Sequence, residues 1–157
     1  IKKVFPNAIL AEDCCEGHGV TNIYRQKLSP NSLASTFSFY YGHHMTTIEG
    51  GIMSTNDLEL YDLMKMKRSH GLAREASHDT YLELQKKYPK IVPSFLFVTD
   101  GYNFRNNEIS AILGMLQLKK LDNFINIRNF RKVWWCKYLK VVSPPIIMKK
   151  FLHDKIY

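Results

Sequence analysis

The sequence predicts an α/β fold, because short strand-like segments alternate along the chain with segments of helical periodicity. "NAILAE" at 7–12 is an apolar run closed by an acid, read as a buried strand that Asp13 follows directly. Residues 17–32, rich in Gly, Asn, Ser and Pro, read as a loop or short hairpin. "LASTFSF" at 33–39 is β-branched and aromatic and supplies a second strand; "GIMST" at 51–55, launched from Gly50 and Gly51, supplies a third. A helix is expected from Asn56, which can cap it and with Glu59 three residues on forms a capping box. Leu60, Tyr61, Leu63 and Met64 give that helix an apolar face, and Gly71 ends it. "YLELQKKY" at 81–88 reads as a short helix, and Pro89 and Pro93 interrupt the chain beyond it. From Asn107 onward, Ile109, Ile112, Leu113 and Leu116 recur at helical spacing, and Leu121, Phe124 and Ile125 continue the stripe.

A chain of 157 residues can form one domain with a sizeable core, and its 45% hydrophobic share fits a globular protein. No run approaches the roughly 18 to 20 apolar residues of a membrane helix, and the start lacks a signal-peptide pattern, so no membrane association is expected. Three cysteines, Cys14, Cys15 and Cys136, suit neither a disulfide framework nor a zinc site, and a reducing, cytoplasmic setting is expected. The net charge of +8 is concentrated at one end. From Arg131 onward seven cations face one acid, Asp154, so the preceding part is nearly neutral. Without basic and aromatic residues interleaved before that tail, no nucleic-acid partner is expected. Three strands are few for a complete doubly wound sheet, and no Met begins the chain, so a part of a longer protein is expected.

Several residues could carry chemistry. Asp13, after a strand, stands where α/β enzymes commonly place a functional carboxylate, and it equally suits a turn or cap. Ser38 could offer its hydroxyl to a phosphate or be an ordinary strand serine. His43 and His44 open "HHMTTIEGG"; adjacent residues on an extended segment point apart, which disfavours a shared metal. A general base at one of them, or a buried hydrogen-bonded histidine, remain as readings. Arg105, before the long helix, is unfavourable for the helix dipole and favourable for an anion bound there.

In order and spacing, "EDCCEGHG", "STFSFYYGHHMTTIEGG", "STNDLELYDLMKMKRSHGLARE", "DGYNFRNNEISAILGMLQLKKLD" and "IRN" resemble successive signatures of the DegT/DnrJ-type sugar aminotransferases. The resemblance covers residues 7–131. It implies the three-layer α/β/α large domain of fold-type I enzymes, with pyridoxal 5'-phosphate or pyridoxamine 5'-phosphate as cofactor and nucleotide-linked keto sugars as substrates. Residues 1–130 then form the C-terminal part of the cofactor-binding large domain, and 131–157 a divergent basic tail. The family's upstream phosphate turn and its small C-terminal domain fall outside the chain.

Carried over residue by residue, the resemblance makes Asp13 the partner of the cofactor's pyridine nitrogen. Glu16 falls beside the cofactor ring, Ser38 on the cofactor phosphate, and Asn103 on the phosphate of a neighbouring subunit's cofactor, which implies a homodimer with shared sites. Relatives read roughly "SFHxxKxxTxGEGG", with the lysine bonded covalently to the cofactor; five residues on from Ser38 this chain has His43. A histidine there resembles the 4-keto-6-deoxysugar 3-dehydratases, which hold the cofactor non-covalently and use the histidine as base. Such an enzyme would serve surface polysaccharide (O-antigen or lipopolysaccharide) synthesis; a nucleotide-sugar transaminase and an inactive truncated chain are the alternatives. Cys136 alone downstream gives no iron–sulfur cluster.

Overall fold

The computed structural model describes residues 3–21 and 32–142. Most of the loop expected at 17–32, and the end of the basic tail, lie outside the described residues. Strands β1 (Ala11–Asp13), β2 (Ala34–Ser38) and β3 (Gly51–Ser54) form one sheet in the order β1-β2-β3. Along the chain the helices are α1 (Leu58–Arg68), α2 (His78–Lys87), α3 (Glu108–Leu118) and α4 (Leu121–Val142). The mixed α/β reading therefore holds. The first strand is shorter than expected and is not buried: Ile9 is 78% exposed, and Asp13 is the strand's last residue instead of following it. An apolar run says that a segment can be covered, not that a cover is present.

The chain divides into two compact units. Unit 1 comprises residues 1–12, 31–36 and 53–108; unit 2 comprises 13–30, 37–52 and 109–157.

In unit 1, α1 starts one residue later than predicted. Asp57, not Asn56, is the N-cap: its backbone is extended and its Oδ1 accepts the Leu60 N–H at 2.9 Å. This shift places Glu59 at the second helical position, where it favours the helix dipole but cannot close a capping box. Lys65, Lys67 and Arg68 complement the other end. The buried face also differs. Asp62 and Met66, one turn apart, are the buried residues, while Tyr61 and Leu63 are substantially exposed.

A hydrogen-bond network explains that choice. Asp62 accepts the Ser77 N–H and the Ser77 hydroxyl, both at 2.7 Å, and the Thr80 hydroxyl at 2.6 Å. One carboxylate thereby fixes the start of α2 against α1. Helix α2 starts at His78, three residues ahead of the predicted segment, on the turn that this carboxylate anchors. Beside it lies the small core of Met66, Leu72, Ala73, Ala76 and Leu96. Gly71, with φ of 81°, terminates α1 by donating to the Met66 carbonyl at 2.8 Å. A Cβ there would run into the Thr99 carbonyl, so only glycine fits.

In unit 2 the single stripe predicted from 107 to 125 is two helices, broken at Lys119–Lys120, where the Lys120 N–H turns back to the Gln117 carbonyl at 2.9 Å. The break re-aims the stripe. Ile109, Ile112 and Leu116 are more than half exposed, whereas Leu121, Phe124 and Ile125 are partly covered.

Burial raises the Asp62 carboxyl, but the hydroxyls of Thr80 and Ser77 and the Ser77 N–H outweigh it and leave the pKa below the ordinary value. A folded pKa below the unfolded one contributes stability above the unfolded pKa, which is lost as pH falls through the folded pKa. We expect Asp62→Ala to cost about 2 to 3 kcal/mol in urea unfolding at neutral pH, since it leaves buried donors unpaired. The difference from wild type should shrink as the pH is taken below about 4.

Candidate active site

Loop 39–50 of unit 2 carries the doubled histidine, and Phe39 closes it through its backbone. The Phe39 N–H donates to the Gly50 carbonyl at 2.9 Å, and its carbonyl accepts the Thr47 N–H at 2.9 Å and the Thr46 hydroxyl at 3.2 Å. Within the loop the Thr47 hydroxyl donates to the Glu49 carbonyl at 2.7 Å, and Thr46 Oγ1 accepts the Ile48 N–H at 2.9 Å. These threonine contacts hold Ile48 at φ of 73°, a left-handed conformation that β-branched residues strongly disfavour. In the family motif "SFHxxKxxTxGEGG" this position is a glycine.

His43 sits on a turn whose N–H donates to the Tyr40 carbonyl at 3.0 Å, and its ring meets Tyr40 edge-on at 5.4 Å. Its Nδ1 is buried without a hydrogen-bond partner among the described residues. Its Nε2 faces Glu16 Oε1 at 3.9 Å, too long for a hydrogen bond and close enough for electrostatic attraction. The fold thus brings together two of the five candidates, Glu16 and His43.

Asp13 and Ser38 end β1 and β2, each engaged by the backbone two residues on. Asp13 Oδ1 accepts the Cys15 N–H at 3.1 Å, and Ser38 Oγ accepts the Tyr40 N–H at 3.2 Å. Asp13 also raises the pKa of the Cys15 thiol, chiefly through a side-chain hydrogen bond. Asn103 belongs to unit 1, where its Oδ1 receives Arg105 Nε and Nη2 at 3.4 Å. Arg105 Nη2 also lies 3.4 Å from His70 Nε2, so the guanidinium is engaged by its own unit.

Sequence reasoning missed His18. It is 7% exposed, its ring lies 5.8 Å from Phe37 and 5.4 Å from Phe39, and neither ring nitrogen has a partner among the described residues. Burial lowers its pKa first, and the nearby positive charges of His44, His43 and Arg128 lower it further. Gly19 beside it, with φ of 76°, lies so close to α4 that a Cβ would run into the Ile125 side chain. The glycines flanking His18 in "EGHG" were the available signal of a tight turn; its burial depends on tertiary packing. His44 is also lowered, by burial and Arg128, with Glu16 opposing. No group of three or more metal-ligating side chains occurs among the described residues.

Residues 6–144 match the family model of the DegT/DnrJ/EryC1/StrS aminotransferases. The chain belongs to that family. Among curated DegT/DnrJ/EryC1/StrS proteins, it is 40% identical over 121 residues to the GDP-4-keto-6-deoxy-D-mannose 3-dehydratase of Escherichia coli O55:H7, covering 76% of this chain and 31% of that one. It is 34% identical over 123 residues to the GDP-perosamine synthase of Escherichia coli O157:H7, covering 76% and 28%. Thus the chain spans about a third of the length of the curated relatives it matches. Among solved structures, the E. coli 3-dehydratase with bound hydrated pyridoxal phosphate superposes with a TM-score of 0.73 at 33% identity, over 88% of this chain and 36% of that one. A 3-amino-5-hydroxybenzoic acid synthase gives 0.70 at 25% identity, over 88% and 32%. The fold is that of the fold-type I enzymes.

Ile48→Gly should raise unfolding stability by about 1 kcal/mol, because it relieves a left-handed β-branched residue that is largely exposed. Histidine resonances recorded by NMR should show His18 and His44 taking up protons only below the pH of an ordinary imidazole. Since the unfolded chain protonates first, stability should fall as pH drops through about 6.5.

Proposed function

We propose that the chain is part of a pyridoxal or pyridoxamine phosphate enzyme acting on nucleotide-linked 4-keto-6-deoxysugars, and that it favours 3-dehydration over transamination. One observation carries this reading. Five residues after Ser38, where the family's lysine would stand, is His43, whose buried Nδ1 has no hydrogen-bond partner among the described residues and whose Nε2 faces Glu16.

The residues present fit such a cofactor. Ser38 Oγ accepts a backbone N–H, which leaves its hydroxyl proton to be given to a phosphate oxygen. Asp13, oriented by the Cys15 N–H, offers a carboxylate to a protonated pyridine nitrogen. Glu16 lies beside the ring in this reading. When bound, the cofactor in its amine form supplies a nitrogen that condenses with the 4-keto group and an electron sink that eases loss of the C3 hydroxyl.

His43 would take a proton from the cofactor and return one to the departing hydroxyl, a relay suited to imidazole near neutral pH. Glu16 Oε1, 3.9 Å from Nε2, would help to orient the ring during that relay. Histidine offers no primary amine for a covalent link to the cofactor.

In the same reading the enzyme is a cytoplasmic homodimer, Asn103 serves the neighbouring subunit's cofactor, and the product enters surface polysaccharide synthesis. Residues 1–130 are then the cofactor-domain part and 131–157 a divergent basic tail, although α4 crosses that boundary unbroken and the family match extends to residue 144. The dehydratase and the perosamine synthase among the relatives support the substrate class.

Borohydride reduction after incubation with pyridoxal phosphate should leave no cofactor attached to the peptide containing His43; a stable adduct there would return the reading to transamination. His43→Asn should lower dehydration of a GDP-linked 4-keto-6-deoxysugar by about 10²- to 10⁴-fold. The cofactor's absorbance change on binding should be retained.

A further inference from the structure

Helix α4 turns an aromatic strip away from the rest of unit 2. Its inner side meets the turn at 16–21, where Leu121 and Ile125 close on Gly19. Its outer side, where a surface helix ordinarily carries charge, carries Ile127, Phe130, Trp134 and Tyr138 at spacings of three and four. Phe130 is 72% exposed, and Trp134 and Tyr138 are half exposed. The rings are set against one another: Trp134 stacks on Tyr138 with centroids 5.5 Å apart and meets Trp135 edge-on at 5.3 Å. Arg131 and Lys137, both exposed, border the strip on either side. We propose that this face of α4 docks on an anionic phospholipid surface, with the helix lying along the headgroup layer.

Charge and ring type decide the occupant. Exposed apolar strips of this kind mark interaction sites. Within α4 five cations stand against one acid, Asp122, which lies in the first turn, away from the strip. A second copy would set Arg131 and Lys137 against the same cations, and an apolar protein partner would leave them without counter-charge. Single-stranded nucleic acid is held in charged grooves, whereas this strip is convex and apolar along its centre. An anionic bilayer surface meets both demands at once. Its phosphates suit the cations, and its interfacial layer suits Trp and Tyr, whose rings are apolar with a polar tip. No described helix is long and apolar enough to cross a membrane, but lying along one requires neither property. The lack of an apolar span in the sequence therefore excludes a spanning helix and not an interfacial one. None of the residues assigned to the cofactor belongs to α4, so the proposal is independent of the dehydratase reading.

The full chain is mixed with phosphatidylcholine vesicles carrying phosphatidylglycerol as roughly a third of their lipid, and with vesicles of phosphatidylcholine alone. Co-sedimentation measures binding, and tryptophan emission reports contact, since the chain's two tryptophans, Trp134 and Trp135, both lie in this stretch. Binding about tenfold tighter to the anionic vesicles is expected, with a blue shift of the emission and weakening by added salt. The double variant Phe130→Ser with Trp134→Ser, and separately Arg131→Gln with Lys137→Gln, should each weaken binding about tenfold or more. Phe95→Ser, which removes a comparably exposed ring from unit 1, should bind as wild type. Three results would overturn the proposal: no preference for anionic vesicles, wild-type binding by either double variant, or as great a loss in Phe95→Ser. So would tighter binding to an oligothymidylate than to the vesicles, or self-association that the aromatic double variant abolishes. Circular dichroism establishes that each variant is folded; if the aromatic double variant is not, the charge variant decides. Failure of vesicle binding would leave the borohydride result unchanged, so the two readings can fail separately.

Discussion

Everything proposed for His43 depends on one backbone residue. Phe39 receives a hydrogen bond from Thr47 and gives one to Gly50, so a single residue at the end of β2 closes both limbs of the histidine loop. The side chain of Phe39 packs against His18 on the other side. The chain thereby uses one residue to set the loop's width and to seal the neighbouring turn. Backbone hydrogen bonds suit this task, because their geometry does not change when the loop's side chains do.

Much of the architecture was legible from local pattern. The strands after Leu33 and Gly50 and the helices near 58, 78 and 108 arise from β-branched runs, cap chemistry and apolar spacing. Errors fell where tertiary contacts decide. The apolar face read from Tyr61 and Leu63 gave way to Asp62, because a carboxylate with three donors waiting across the turn outcompetes two half-covered hydrocarbons. The cap moved from Asn56 to Asp57 because both residue types cap well and only the geometry chooses. The long stripe from Ile109 to Ile125 conceals a break at two lysines, which helical periodicity alone does not reveal.

For the site, the sequence was informative about positions and silent about partners. Asp13, Ser38 and His43 could be aligned on motifs, yet the proximity of Glu16 to His43 is a product of folding. His18 illustrates the opposite limit. A histidine between two glycines reads as a surface turn, and only the aromatic neighbours Phe37 and Phe39 make it buried and reluctant to ionise. Positive charge gathers around it without being visible as a run, because Arg128 arrives from more than a hundred residues away.

The contact between Asp13 and Cys15 has a bearing on durability. A thiol reacts with peroxides and electrophiles mainly as its thiolate, and the hydrogen bond to Asp13 shifts the Cys15 thiol further toward its protonated form. The carboxylate that ends β1 therefore also lowers the thiolate share of the sulfur two residues away. An oxidised sulfur at that point would bring new bulk and charge to the end of β1, and the aspartate at this strand end disfavours the thiolate from which such oxidation starts.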